Sequence, residues 1–195
     1  MKIVCIWSPK GGVGKSTLTA HIADCLAIEH DKKVVVYDAD PQRTFFHTWE
    51  AGSFNFEAIE TMPDSPPECD YFIVDYPPTI LLSKTQKDLI AASDFLIVPV
   101  RASRLDLDST KAVKEIVPNH GKQINVLSCY DKRISDQKEV RQHLAANHIL
   151  VSYLSIYART MNDFKTIYTR GTDSLHGTSR ARAEINSIVK KLLNN

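Results

Sequence analysis

The sequence predicts an α/β fold: a single domain built on a mostly parallel sheet with helices on both faces. Three observations carry this. Short β-branched runs alternate with helical stretches along the whole chain, the pattern of strands joined by crossover helices. Several runs are apolar throughout, such as Val34-Val35-Val36 and Phe72-Ile73-Val74, as strands covered on both faces must be. The chain has 195 residues, 43% of them hydrophobic, enough to bury one good core.

The apolar run Ile3 to Trp7 opens the first strand, predicted over 2–7. A glycine-rich turn ends it, and a helix is predicted over 15–29. Further strands are predicted over 33–38, 55–60, 71–75, 95–100 and 124–129, with a seventh over 150–156. The remaining helices are predicted over 43–50, 82–92, 105–117, 136–147, 160–168 and 179–193. Segment 61–70 reads as a loop, because its prolines exclude regular structure. Residues 1–195 are read as one domain, with no N-terminal helix-turn-helix domain, since the first strand starts the chain. The longest apolar runs are too short to cross a bilayer. Only five apolar residues precede Ser8-Pro9-Lys10, too few for a signal peptide, so a cytoplasmic protein is expected.

The four cysteines, Cys5, Cys25, Cys69 and Cys129, lie far apart with no C-x-x-C pair, and read as small buried thiols. The seven histidines show no metal-ligand spacing. Net charge is +1, but residues 1–100 carry −6 and residues 101–195 carry +7. Such asymmetry points to a polyanion partner for the second half, or to acidic metal ligands facing an ordinary basic surface.

The chemistry concentrates after the first strand. Residues Pro9-Lys10-Gly11-Gly12-Val13-Gly14-Lys15-Ser16-Thr17 form a phosphate-binding loop between a strand and a helix. The usual pattern, G-x-x-x-x-G-K-[ST], would place glycine where Pro9 stands, so the loop is a variant with a second lysine. Its glycines allow backbone N–H groups to point at a polyphosphate. Lys15 adds a charge for the β- and γ-phosphates, and the Ser16 hydroxyl can ligate Mg²⁺. The following helix presents its positive end to the same anion.

Two acidic motifs follow predicted strands, where open parallel sheets bind ligands. One is Asp38-Ala39-Asp40-Pro41-Gln42, the other Asp75-Tyr76-Pro77-Pro78. Asp75 reads as a metal-site carboxylate acting through water, and Asp40 as the group that positions an attacking water. Asp38 joins Ser16 and Asp75 in the candidate Mg²⁺ set. Helix capping, with Pro41 as a first helical residue, is the alternative role for the Asp38–Asp40 pair.

With these motifs in this order, the chain resembles the ParA/MinD family of deviant Walker-A ATPases, P-loop NTPases of the SIMIBI type. Ser93 to Val100 is similar to the family's next strand, and Ser179 to Leu193 to its closing helix. The resemblance is strong to about residue 108 and weak from there to about 155. It is nearest to the short plasmid-partition ParA subgroup. It implies ATP and Mg²⁺ as cofactors and a homodimer with ATP sandwiched between subunits. Lys10 would reach the partner's phosphates in trans, while Lys15 holds those of its own subunit. Gly11, Gly12, Val13 and Gly14 would cradle the nucleotide, and Thr17 would contact the α-phosphate. Lys10, Lys15 and Asp40 form the implied catalytic set. The family's adenine contacts lie partly near Cys129 to Arg133, where this sequence departs from the pattern.

Family members differ in what they bind. Partition ATPases hold nonspecific DNA in the ATP state and answer to a ParB-like centromere-binding protein. MinD-like members use a C-terminal amphipathic tail on membranes. Here the closing helix leaves no extra tail, so docking on the core is expected rather than membrane binding. Residues 157–195 carry +4, and Arg159, Lys165, Arg170, Arg180 and Arg182 are the candidate DNA contacts. The expected function is plasmid or chromosome segregation by a nucleoid-associated, partner-stimulated ATPase. The alternatives are a cargo-positioning ATPase on a membrane or protein scaffold, and an ATP-dependent metabolic enzyme of the dethiobiotin synthetase type. An iron–sulfur relative lacks suitably placed cysteine pairs.

Overall fold

β1 (Lys2–Ile6) runs through the middle of a seven-stranded sheet, with β4 (Tyr71–Asp75) on one side and β5 (Phe95–Arg101) on the other. The computed structural model describes residues 1–101, 103, 113, 115–118, 120–143, 148–152 and 155–194. Beyond β4 lie β2 (Val34–Asp38) and the short β3 (Glu57–Ile59); beyond β5 lie β6 (Gln123–Tyr130) and β7 (His148–Ser152). The order is β3-β2-β4-β1-β5-β6-β7, and every pairing is parallel. The direction in which successive strands are laid down across the sheet switches beside β1, which opens a crevice at the carboxyl ends of β1 and β4.

Strand alternation builds two core layers. Val4, Ile6, Val34, Val36 and Ile73 pack on one face, while Cys5, Trp7, Val35, Phe72 and Val74 pack on the other. The first layer lies under α1 (Lys15–His30), α5 (Ser155–Asn162) and α6 (Thr178–Leu193). The second lies under α3 (Lys84–Ala92) and the buried Val113 and Val117. α2 (Thr44–Glu50) contributes Phe45 to the first layer, and α4 (Ser135–His143) follows β6. Ala181, Ile185, Ile188, Val189 and Leu192 of α6 are fully buried. Their spacing makes one apolar stripe, so α6 docks on the core as expected. Lys2 Nζ and the Tyr71 hydroxyl both donate to the Leu192 carbonyl, at 2.9 and 3.2 Å.

Most described elements agree with the sequence to within two residues at their ends. Two depart further. The strand expected over 150–156 ends at Ser152, and the helix expected over 160–168 begins at Ser155 and ends at Asn162. Ile156, Tyr157 and Thr160 are the buried face of that helix, so packing takes residues whose β-branched run suggested a strand. Residues 163–168 form turns, with Phe164 in the left-handed region at φ 54°. The helix expected over 105–117 lies almost wholly outside the described residues, as do residues 144–147 of the helix expected over 136–147. α3 starts two residues late, at a capping box in which Ser83 and Gln86 satisfy each other's backbone N–H. Cys129 is only half-buried, with φ 54°.

Candidate functional site

The loop after β1 turns on Gly12 (φ 68°) and Gly14 (φ 86°), both left-handed, a conformation that costs glycine little. Val13 between them is buried and pins the loop to the core. Gly14 is the N-cap of α1, where no side chain caps the helix and no acidic residue stands in the first turn. The leading amide groups of α1 therefore face the crevice without a side-chain acceptor, a ready anion site.

Lys15 is buried, and its Nζ donates to the Lys10 carbonyl at 3.2 Å across the loop. Burial pulls its ammonium pKa down, and the Asp75 and Asp40 carboxylates pull it back up. Lys10 itself is exposed. Ser8, at the base of the loop, is fully buried, and its hydroxyl meets no partner among the described residues.

Asp75 closes β4 and is buried beside the loop. Burial pushes its carboxyl up to about 7; the Ser16 hydroxyl, Lys15 and Thr19 oppose the rise, and Asp38 adds to it. Thr19 Oγ1 lies 3.2 Å from Asp75 Oδ1 and 3.1 Å from the Lys15 carbonyl. Nothing in the spacing of motifs flagged Thr19; its position one turn beyond Lys15 on α1 was the available signal.

Asp38 is the register partner of Asp75 across β2 and β4. Its Oδ1 accepts the Asp40 N–H and its Oδ2 the Phe46 N–H, both at 3.0 Å. Phe46 is the third residue of α2, whose own N-cap, Arg43, offers no side-chain bond to the helix. Asp38 thus caps α2 from the strand end. Asp40 Oδ1 accepts the Gln42 N–H at 3.0 Å, in a turn closed by the Arg43 N–H on the Asp40 carbonyl at 2.9 Å. Pro41 sits in that turn rather than in the helix. Of the candidate metal set, the structure joins Ser16 to Asp75, whereas both oxygens of Asp38 already serve backbone N–H groups.

These residues fit Mg²⁺ and a nucleoside triphosphate. Mg²⁺ is held by one or two carboxylates plus phosphate oxygens and water rather than by an all-protein cage. Among the described residues no three His, Cys, Asp or Glu side chains gather into a metal cluster. The Ser16 hydroxyl and Asp75 are hard oxygen donors, and α1, Lys15 and the glycines are the groups that could hold the phosphate side.

A cleft of about 200 Å³ continues from the loop between α1, β6, β7 and α5. Gly14 and Thr17 line one side, and Ser128, Cys129, Ser152 and Tyr157 the other. It is mostly apolar in shape and chemistry, as a nucleoside needs. Glu184 of α6 braces its wall, accepting the Ser152 N–H at 3.0 Å and the Tyr157 hydroxyl at 3.1 Å. Arg180 donates to Glu184 Oε1 at 3.2 Å and to the Ser152 hydroxyl at 2.5 Å. Apart from the Arg180–Glu184 pair, four residues apart on α6, this brace leaves no mark on motif spacing, since Ser152 and Tyr157 lie 32 and 27 positions from Glu184.

The five basic candidates divide. Arg159, Lys165 and Arg170 are exposed. Arg182 is only 26% exposed at its side chain, pairs with Asp173 at 2.8 Å, and donates twice to the Ile167 carbonyl. Arg180 is held by the brace. No helix among the described residues is long and apolar enough to cross a membrane.

Comparison with known proteins agrees with this geometry. A protein of Borrelia burgdorferi described as a plasmid partition protein, bound to AMPPNP, superposes with a TM-score of 0.78 over 98% of this chain and 99% of its own, at 17% identity. MinD of Aquifex aeolicus gives 0.75 over 100% and 98%, also at 17% identity. At these identities the likeness is one of fold. Two curated relatives carry the name maintenance of carboxysome distribution protein A. The one from Halothiobacillus neapolitanus is 28% identical over 120 residues, covering 55% of this chain and 54% of its own. The one from Gloeobacter kilaueensis is 34% identical over 115 residues, covering 54% and 52%. The chain thus spans about half the length of the curated relatives it matches. The family model for the CobQ/CobB/MinD/ParA nucleotide-binding domain matches residues 4–151, and the chain belongs to that family, with the seven-stranded parallel fold of its ParA and MinD members.

Proposed function

We propose that the chain is an ATP-switched positioning ATPase. Mg²⁺ and ATP bring two copies together with nucleotide sandwiched between them, the dimer holds DNA without sequence preference, and hydrolysis resets it. The observation that carries this reading is the first turn of α1. It offers its amide groups with no side-chain cap, between buried Lys15 and exposed Lys10, above the Ser16–Asp75 pair.

Each residue then has a role. The α1 amides and Lys15 bind the β- and γ-phosphates, and Thr17 faces the α-phosphate beside the nucleoside cleft. Ser16 and Asp75 hold Mg²⁺, which supplies charge for the phosphate oxygens. Asp40 orients the attacking water, whose oxygen bonds to the γ-phosphorus as the bond to the ADP oxygen breaks. Lys10 of one subunit neutralises charge growing on the other subunit's phosphates. A chain alone lacks that second lysine, so turnover without a partner is slow. A partner protein of the ParB type would accelerate it.

The cargo has two readings. Plasmid or chromosome segregation follows the short ParA resemblance and the Borrelia neighbour. Positioning of a protein assembly is favoured by the curated relatives, both named for carboxysome distribution. Either way, the protein would sit on the nucleoid in the cytoplasm. The test is binding to random-sequence duplex DNA with ATP, with ADP and without nucleotide. Binding only with ATP supports the switch; no binding in any state removes DNA from the reading.

A further inference from the structure

A second cleft, of about 800 Å³, opens beyond the end of β6. Tyr130 lines it together with Lys132 and Arg133 from the following turn and Lys138, Arg141 and Gln142 from α4. Every charged group on this lining is a cation. Helical spacing does the sorting. Lys138, Arg141 and Gln142 stand at i, i+3 and i+4, on one face of α4. Val140 is buried on a different face, and Asp136 and Glu139 fall away from the basic stripe. The nearest acid, Asp131, is turned to Arg133, with Nε and Nη2 contacts of 2.9 and 2.5 Å. Arg141 stacks over the Tyr130 ring at 5.8 Å from its centroid, which fixes one cation over the aromatic ring.

The shape argues for a long anion. The four cations are exposed, and the trough is open. A single phosphate would want converging buried donors; a repeating backbone wants several cations along an open groove. A membrane surface would want exposed apolar side chains among the cations; the apolar residue of this lining, Tyr130, is buried, and the exposed Ile134 beside Arg133 stands outside the lining.

The cleft also abuts the nucleotide site. Ser128 and Cys129 line the nucleoside cleft, and Tyr130 lines this one. Plain alternation would send Ser128 and Tyr130 to the same side. The left-handed Cys129 and the register shift between Leu127 and Tyr130 break that alternation, so one irregular strand end serves both clefts.

We propose that the cleft of Tyr130, Lys132, Lys138 and Arg141, with Arg133 already paired to Asp131 at its rim, holds the phosphate backbone of duplex DNA. It does so in place of a surface centred on Arg182, which is held by Asp173 and the Ile167 carbonyl, and on Arg180, whose half-exposed side chain is tied to Glu184 and Ser152. The inference rests on the reading that the ATP state binds DNA.

The test compares wild type, Lys138→Glu/Arg141→Glu, the neutral Lys138→Gln/Arg141→Gln, and Arg159→Glu/Lys165→Glu/Arg170→Glu. Binding to random-sequence duplex is measured with a nonhydrolysable ATP analogue, across salt from about 50 to 200 mM. Nucleotide affinity and the thermal midpoint serve as fold controls. The expected result for the charge-reversed pair is at least about tenfold weaker binding, with the log–log salt slope shallower by about 2, one step per lost phosphate contact. The neutral pair should show the same loss in smaller degree, and nucleotide affinity should not change. Wild-type affinity and slope in both pairs would overturn the cleft, and loss confined to the triple variant would move the surface to the α5 side. Polyglutamate competing as strongly as DNA would overturn the nucleic-acid assignment. If wild type itself binds no DNA with the analogue, the switch reading fails, and this inference with it.

Discussion

Thr19 stands between Asp75 and the Lys15 carbonyl, 3.2 Å from one and 3.1 Å from the other, and its single hydroxyl proton can serve only one of them at a time. With the Asp75 carboxyl pushed up to about 7, a neutral acid can donate to Thr19 while Thr19 donates to Lys15. Once Asp75 ionises, Thr19 must turn to it, and the Lys15 carbonyl loses that bond. The protonation of one buried carboxyl is thereby tied to the first turn of the helix that would hold the phosphates.

The ligand-free chain should lose stability as pH rises through this window. A native carboxyl that titrates near 7, against about 3.8 unfolded, binds more protons folded than unfolded between those values. Stability therefore falls from about pH 4 to about pH 7 and levels off above, by about 4 kcal/mol at most. Asp75→Asn should flatten this dependence and raise the unfolding midpoint at pH 8, while Mg²⁺-dependent nucleotide binding is lost. Urea melts at several pH values check the first part, and calorimetric titration the second. A midpoint at pH 8 that drops in the variant would contradict the burial argument.

The two lysines should separate binding from turnover. Lys15→Ala removes the buried charge within reach of the phosphates and should weaken ATP binding by about 3 kcal/mol, roughly a hundredfold. Lys10→Ala should leave affinity within about threefold and abolish hydrolysis, because Lys10 is exposed and acts on the partner's nucleotide. Equilibrium binding and phosphate release on both variants check this, and equal effects on both would contradict separate roles.

Asp38 and Asp40 should differ although they are two residues apart. Asp40→Ala should keep ATP binding and block turnover. Asp38→Ala removes two backbone bonds, one of them the cap on α2, so it should cost about 1–2 kcal/mol of stability as well. Thermal melts of the two variants side by side decide it. Equal destabilisation would remove the capping role.

The Glu184 brace should affect the nucleoside and not the phosphates. Glu184→Ala frees the Ser152 N–H and the Tyr157 hydroxyl, and should weaken ATP binding several-fold while leaving tripolyphosphate binding unchanged. Glu184→Gln, which keeps an acceptor, should restore most of the loss. Competition titrations with both ligands read the split, and a parallel loss of both ligands would reduce the brace to a structural role.

Much of this site was legible in the sequence because it is local. The loop from Lys10 to Thr17 and the aspartates after β2 and β4 each follow an apolar strand, and a parallel sheet gathers such strand ends on one edge. What the sequence hid depends on long-range packing. Thr19 matters only because β4 passes behind α1, and Glu184 only because α6 docks beside Ser152 and Tyr157. Arg180 and Arg182 looked like surface charges until the fold gave them partners. α5 was hidden for the same reason: Ile156 read as the last residue of a strand and Tyr157 fell between that strand and the next expected helix, yet both belong to the buried face of α5, with the Tyr157 ring edge-on to His21 at 5.2 Å. The role of Asp38 as a cap for α2, rather than Pro41 as its first residue, depended on the left-handed Arg43 (φ 53°) that ends the turn.

The central claim is that the Lys10–Thr17 loop is an ATP-driven dimerisation switch. Its most direct test is the mass of the Asp40→Ala chain in solution by sedimentation, with Mg²⁺ and ATP, with Mg²⁺ and ADP, and without nucleotide. The expected result is a doubled mass with ATP alone, abolished by adding Lys15→Ala. The same mass in all three conditions, with ATP bound, would contradict the switch.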